Sequence, residues 1–165
     1  MVTSLRIVLP VLSVVLCASF VLGKAAFMSK EEMIHNAEVI AVVEITAIDK
    51  TVTKGIDWTF AQKATAKVET LIKGKLPETV ALYGDQDFIC ARCHFEVGKY
   101  LVFLKRDNTV YTGNNWQLSI RKITGAKVEW FDGDKTLEKS DALLADVLKE
   151  IPVIMAKAAT PTTSK

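Results

Sequence analysis

The sequence is poor in the residues that most catalytic and metal sites use. It contains two histidines, His35 and His94, and three cysteines. A Ser-His-Asp hydrolase would have to use one of these histidines, and the G-x-S-x-G turn that presents the serine in one large class of hydrolases is absent. A structural zinc site needs four ligands, which only the two histidines together with Cys90 and Cys93 would supply. We therefore expect neither an enzyme nor a metalloprotein.

The chain also lacks a large charge of either sign. It has 21 Lys and Arg against 19 Asp and Glu, a formal net charge of +2. A pronounced basic patch is the electrostatic footprint of a nucleic-acid-binding protein, so this balance argues against a nucleic-acid partner. Internal repeats are absent as well, and the length suits one ordinary domain.

The N-terminal apolar run is too short for a comfortable membrane span. It extends from Ile7 to Leu22, 16 residues, whereas a span needs about 20. The run follows a single positive charge, Arg6, and is followed by small residues, which is the layout of a cleavable secretory signal. We expect residues 1–23 to be a signal peptide, and the mature protein to begin at Lys24, to be secreted or periplasmic, and to have no membrane span.

The next part of the chain is dominated by a two-residue period. Ser29 and Glu32 form a capping-box pattern, which predicts a short helix at its start. From Val39 onward, apolar residues alternate with polar ones in five to seven short segments separated by turns. Strands without helices between them favour antiparallel pairing in a closed or nearly closed barrel, which we place in residues 24–133.

The C-terminal part changes to a helical period. Apolar residues recur at Leu144, Val147, Leu148 and Ile151, the spacing of one helix face. We expect a C-terminal helix within residues 134–157. The last residues, 158–165, are small and polar and predict a disordered tail.

Three segments carry a family resemblance: Ala37–Glu44, the strand end Val68–Gly74, and the Gly-x-Tyr-Leu-Val-Phe segment Gly98–Phe103 that follows a cysteine. Together they resemble the TIMP-like/netrin-module OB-fold in its short, bacterial exported form, and the resemblance covers roughly residues 30–131. The resemblance implies a mainly β fold with an antiparallel OB-like barrel, flanked here by a helix at each end. Metalloproteinase inhibitors of this fold bind the protease zinc through the amino group of an N-terminal cysteine. A mature chain beginning at Lys24 has none, so this mechanism is not implied.

The segment Cys90-Ala91-Arg92-Cys93-His94 is the one motif with a specific chemistry. It matches the C-x-x-C-H pattern of c-type haem attachment. However, it leads directly into a strand, no clear sixth iron ligand accompanies it, and the family resemblance accounts for a cysteine at this place. In an oxidising compartment an isolated pair usually forms a disulfide, and we predict one between Cys90 and Cys93. The alternatives are a haem c site using both cysteines and His94, a redox-active thiol pair, and free thiols or a metal site.

The three tryptophans are the remaining candidates for ligand contact. Trp116 and Trp130 fall in predicted strands and are expected in the core, whereas Trp58 lies in a loop near Gly55. Aromatic side chains on an OB-like barrel can stack on a ligand, so Trp58 is the candidate contact residue. We expect an exported, non-enzymatic binding or interaction module without a cofactor, whose partner is a protein or a carbohydrate. The alternatives are a c-type haem protein and a thiol-disulfide redox protein.

Overall fold

The structure is a computed structural model that describes residues 26–88, 90–132 and 135–158. The predicted signal peptide lies outside these residues, as does the predicted tail apart from Ala158. The elements in chain order are helix α1 (Lys30–Asn36), strands β1 (Val39–Lys54), β2 (Thr59–Lys73), β3 (Thr79–Gln86), β4 (Gly98–Asp107) and β5 (Val110–Gly113), a 3-10 helix (Trp116–Ser119), strands β6 (Ile120–Thr124), β7 (Lys127–Asp132) and β8 (Lys135–Leu143), and helix α2 (Leu144–Ala158).

The predicted mainly β architecture with a helix near each end is confirmed. Eight strands form one sheet in the order β1-β2-β3-β5-β4-β6-β7-β8, and an additional pairing of β1 with β4 closes the first five into a ring. The pairing is not wholly antiparallel, because β3 and β5 pair in parallel at Leu82 and Tyr111. The sheet is therefore mixed, which corrects the antiparallel prediction at this one contact.

Strand β4 connects the ring to the rest of the sheet. One edge of β4 pairs with β1 along Gly98–Leu104. Its other edge pairs with β6 through Lys99–Val102 and with β5 through Leu104–Asp107. The chain changes from β5 to β6 through the 3-10 helix, which we had expected to be part of a strand. Because one edge of β4 pairs with β6 and then with β5, the 3-10 helix that connects β5 to β6 places Trp116 at one end of the ring.

The long apolar strand β1 separates two cores. Its odd-numbered residues from Val39 to Ile45 face the ring interior, together with Phe95 and Leu104. Its even-numbered residues Ile40 and Val42 pack in a second core with the two helices and β7. Strand side chains alternate between the two faces of a sheet, so a strand between two apolar layers must be apolar on both, as β1 is.

Side-chain hydrogen bonds hold both helices in place. Ser29 caps α1 by accepting from the Glu32 backbone N–H, and the Glu32 carboxylate accepts from the Ser29 N–H, so the predicted capping box is confirmed. On α2, Glu150 accepts from Lys30 at 2.6 Å and from Trp130 Nε1 at 2.9 Å. Helix α2 begins at Leu144, later than expected, because β8 precedes it. No helix in the described ranges is both long and apolar enough to cross a membrane.

Candidate functional site: an aromatic cleft

Three half-buried aromatic rings meet at one end of the ring of strands. The ring centroids of Trp58 and Phe88 are 4.8 Å apart, and those of Phe88 and Trp116 are 5.0 Å apart in a stacked arrangement. Trp58 and Trp116 meet edge to face at 5.8 Å. Offset and edge-to-face arrangements at these distances are the favourable ones for aromatic pairs. The rings therefore form one cluster, and each keeps part of its surface accessible.

The loop between β1 and β2 positions Trp58. Within this loop the Gly55 N–H donates to the Trp58 carbonyl at 2.8 Å, and the Ile56 N–H donates to the Asp107 carboxylate. Next to Trp58, Thr59 exchanges two 3.0 Å hydrogen bonds with Asp87, one through the carboxylate and one between backbones. Asp107 and Asp87 thus hold the two sides of the loop by separate hydrogen bonds. A loop fixed in this way presents a preformed aromatic surface.

Trp116 is presented by an unusual backbone conformation. Its φ is +52°, in the left-handed region that is rarely occupied by a bulky side chain. Beneath it, Ser119 Oγ accepts from the Asn115 N–H at 2.6 Å and donates to Asn114 Oδ1 at 2.9 Å. All three of these supporting residues are buried. Strain of this kind persists only where the surroundings hold it in place, and this network holds Trp116.

Asn115 also attaches the start of the described chain to the site. Its Nδ2 donates to the Ala26 carbonyl at 2.9 Å, and its Oδ1 accepts from the Met28 N–H at 3.0 Å. The side chain therefore bonds to this segment as a neighbouring strand would. The segment just before helix α1 consequently forms one wall of the site.

These elements enclose a cleft of about 220 Å³, which we call the aromatic cleft. It is lined by Ala26, Met28, Trp58, Gln86, Lys105, Thr112, Gly113, Asn114, Asn115 and Trp116. Drug-sized ligands usually occupy about 300–1,000 Å³, so the cleft suits one ring or one side chain of a larger partner. Of the described residues in this lining, only Lys105 is charged.

Two buried glutamines connect the cleft to the segment that carries the cysteines, residues 87–97. Gln62 exchanges two hydrogen bonds with the backbone of Phe95, at 2.8 and 2.9 Å. Gln86 accepts from the Cys93 N–H at 2.8 Å and donates to Thr112 at 3.0 Å. The described residues of this segment before Gly98 form no strand, and the buried amides add to the backbone hydrogen bond from the Asp85 N–H to the Cys93 carbonyl at 2.8 Å. They fix the second half of the segment against the ring.

The structure places Cys90 and Cys93 in different environments and shows no disulfide between them, so the predicted disulfide stays a prediction. Cys90 is exposed, whereas Cys93 is fully buried in the ring core next to Gly113. The hydrogen bond from the Cys93 N–H to Gln86 holds the Cys93 backbone so that the Cys93 side chain is directed inward. Burial raises the pKa of the Cys93 thiol to about 12. The attacking thiol of a redox pair needs a readily formed thiolate, so Cys93 does not suit that role.

His94 is held by a carboxylate on the neighbouring strand. Its Nδ1 lies 2.9 Å from Asp85 Oδ1, and its backbone N–H donates to Gln117 at 2.7 Å. Haem c would require both thiols at one accessible edge together with this imidazole, but the Cys93 sulfur belongs to the ring core. The residues as placed do not fit haem c. Across the described part of the chain, no group of three or more His, Cys, Asp or Glu residues is placed to hold a metal ion.

The structure brings Trp58 into a site whose other members the sequence did not indicate. Trp116 was expected in a strand of the core but lines the cleft, while Trp130 is buried as expected. Phe88 lies two residues before Cys90, in a segment that we had interpreted only through its cysteines. No local sequence pattern marks the buried amides Gln86, Asn114 and Asn115, although the predicted turn Gly113-Asn114-Asn115 directly precedes Trp116.

A comparison with known protein families found no family model that matches the chain, and a comparison with curated proteins found no similar sequence. The function is therefore argued from the site itself.

Proposed function

We propose that this protein is an exported, non-enzymatic binding module of TIMP-like OB type, and that its partner binds at the aromatic cleft. The observation that carries the proposal is the cluster of Trp58, Phe88 and Trp116. Three partly accessible aromatic rings in contact are costly to leave in water, and aromatic side chains are the residue types most enriched where proteins bind partners.

The topology of the ring supports an OB-type fold. Five strands in the circular order β1-β2-β3-β5-β4 form a Greek-key ring, the arrangement of the OB-fold. In OB-folds the loops between β1 and β2 and between β4 and β5 contribute to the ligand-binding face. Here Asp107, at the β4–β5 hairpin, accepts from Ile56 in the β1–β2 loop. The two loops thus meet beside the aromatic cleft.

The way the cleft is built supports binding rather than catalysis. Its polar side chains are engaged in holding its walls: Asn115 bonds the segment of Ala26 and Met28, and Gln86 bonds Cys93 and Thr112. Among the described residues that line it there is no histidine, cysteine or carboxylate. General acid-base and nucleophilic catalysis depend on such groups, so the cleft offers contact surface and hydrogen-bond donors instead.

Binding can be tested on glycan and peptide arrays with the mature protein and two variants. Trp58→Ala removes one wall of the cleft. Tyr83→Ala is the matched control. Like Trp58, Tyr83 is aromatic and half-buried, but it lies on strand β3 and does not line the cleft. We expect array ligands that the wild type and Tyr83→Ala retain and that Trp58→Ala loses. The proposal fails if no ligand is found, or if every ligand survives Trp58→Ala.

Export is tested separately by the intact mass of protein recovered from the exported fraction of a bacterial host. A mass corresponding to Lys24–Lys165 supports cleavage of the predicted signal. A mass that includes residues 1–23, or recovery only from the cytoplasm, contradicts it. The same spectrum reports the cysteines, since a disulfide lowers the mass by two hydrogens and haem c raises it by one haem.

A further inference from the structure

We infer that the aromatic cleft recognises a carboxylate-bearing sugar ring, the chemistry of a uronic acid residue in an acidic polysaccharide. This inference rests on the proposed function and names the ligand class. It follows from which hydrogen-bonding groups of the cleft are already used and which are available.

The acceptors of the cleft are largely engaged. Asn114 Oδ1 accepts from Ser119, Asn115 Oδ1 accepts from Met28, and Gln86 Oε1 accepts from Cys93. The side-chain amides of these three residues also donate within the protein. These three amides are therefore structural groups, since each oxygen already accepts one hydrogen bond and each amide nitrogen already donates one within the protein.

The available groups are donors. The Trp130 indole N–H donates to Glu150, but those of Trp58 and Trp116 donate to none of the residues that the structure describes. The ammonium group of Lys105 likewise forms no ion pair with them. Lys105 pairs in register with Thr112 across β4 and β5, and both line the cleft. An indole and an ammonium donate hydrogen bonds and accept none.

The neighbouring carboxylates do not compensate Lys105 inside the cleft. Asp107, two residues along β4, is buried and accepts from Ile56. Asp87 accepts from Thr59, and Glu38 accepts from the Arg106 N–H. None of these carboxylates lines the cleft. The cleft thus presents a positive charge and donors between aromatic walls.

The free donors and the positive charge distinguish between ligand classes. A neutral sugar offers hydroxyl groups that both donate and accept, and it gains no charge-assisted contact with Lys105. A carboxylate accepts only, and its hydrogen bonds to an ammonium group are stronger than neutral ones. The apolar face of a sugar ring can lie on the indole rings while the carboxylate reaches Lys105. The volume of about 220 Å³ suits one such ring.

A peptide partner is less well served by the surroundings. Extended peptides commonly bind by adding a strand to a free sheet edge. Each of the five ring strands has a partner on both sides in the described structure, although β3 and β5 pair only at Leu82 and Tyr111 and β1 pairs with β4 only along Val39–Ile45. A peptide would have to add at the parts of these strands that are left unpaired, whereas a sugar does not need a strand edge.

The test is titration of the mature protein with trigalacturonate, followed by tryptophan fluorescence and checked by calorimetry. Lys105→Met removes the charge, and Lys105→Arg keeps it. Lys122→Met is the control for loss of a lysine outside the aromatic cleft. The trimethyl ester of trigalacturonate keeps the ring and removes the anionic charge.

We expect trigalacturonate to bind, Lys105→Met to weaken binding about tenfold or more, Lys105→Arg to bind more tightly than Lys105→Met, and Lys122→Met to bind within about threefold of wild type. The ester should bind the wild type as weakly as trigalacturonate binds Lys105→Met. Equal affinity for acid and ester, or no effect of Lys105→Met, overturns the inference.

The two proposals can fail separately. If neutral glycans bind and only Trp58→Ala abolishes binding, the cleft binds sugars but does not select the carboxylate. If an acidic peptide binds at the cleft and trigalacturonate does not, the partner is a protein and the sugar inference is overturned. If Trp58→Ala leaves all binding unchanged, the proposed function itself is wrong.

Discussion

Arg121 is among the largest fully buried side chains, yet Nε and both terminal nitrogens have no hydrogen-bond partner among the described residues. Its guanidinium lies 3.9 Å from the centre of the Phe131 ring. Burial lowers the pKa of Arg121 to about 10, which means that the folded protein disfavours the charge. A buried charge without hydrogen bonds costs free energy, and the cation–π contact offsets only part of this cost.

We expect Arg121→Met to raise the free energy of unfolding by about 1–3 kcal/mol, because it removes an unpaired buried charge and keeps most of the volume. Urea unfolding followed by circular dichroism measures this change. Lys122→Met, at the exposed neighbouring position, should change stability by less than about 0.5 kcal/mol. A clear destabilisation by Arg121→Met would show that the guanidinium has a stabilising partner.

The buried Cys93 thiol makes stability depend on alkaline pH. Its pKa is raised to about 12 by burial, whereas an unfolded thiol ionises near pH 8.5. The folded state therefore keeps a proton that the unfolded state loses, so this stabilising contribution is complete below about pH 8.5 and is lost as the pH rises toward 12.

We expect the unfolding free energy of wild type to fall more steeply than that of Cys93→Ala, by about 1 kcal/mol per pH unit between pH 9 and 10.5. Cys93→Ala is less stable overall because it leaves a cavity, so the slopes, not the absolute values, are compared. Cys90→Ala, which alters an exposed thiol, is the control. Parallel pH profiles for wild type and Cys93→Ala would contradict the burial of the thiol.

Among the elements, the segment 87–97 depends most on side chains for its position. Gln62 supplies two hydrogen bonds to Phe95 from strand β2. We expect Gln62→Ala to lower the free energy of unfolding by about 2–4 kcal/mol, because it leaves a buried N–H and C=O without partners. Amide exchange of Phe95 should accelerate with it.

Gln117 provides the matched comparison for this segment. It accepts from the His94 N–H at 2.7 Å, but it is exposed, so water can replace it. Gln117→Ala should cost less than about 1 kcal/mol. Equal effects of the two substitutions would show that burial of the Gln62 contacts is not what fixes the segment.

The elements that could be predicted were those whose signal is local. The capping box at Ser29, the periodicity of β1 and the helix around Val147 depend on neighbouring residues, and all three are present. The 3-10 helix at Trp116 was missed because its apolar residues also fit an alternating pattern. Strand β8 was missed because its sequence is mostly polar, and its pairing with β7 is a long-range contact.

The candidate site was predictable only in part for the same reason. Trp58 could be singled out because a tryptophan in a loop stands out locally. The joining of Trp58, Phe88 and Trp116 depends on closure of the ring, which brings together three connections far apart in the chain. The different environments of Cys90 and Cys93 likewise follow from the contact between Gln86 and Cys93, which no spacing rule records.

At the scale of the whole molecule, the structure combines two cores that share β1 and β4. The second core, with its helices and β7, supports one side of the ring and leaves the end with the aromatic cleft accessible. The helices and the C-terminal strands thus contribute to the core, and the end of the ring is left for the binding that we propose.

The most direct test is an NMR titration of the mature protein, labelled with nitrogen-15, against trigalacturonate. The chain has three tryptophans and therefore three indole N–H signals, which single Trp→Phe variants assign. We expect the Trp58 and Trp116 signals to shift with ligand, while that of Trp130, bonded to Glu150 in the other core, stays in place. Absence of any shift, or a shift confined to Trp130, would contradict binding at the aromatic cleft.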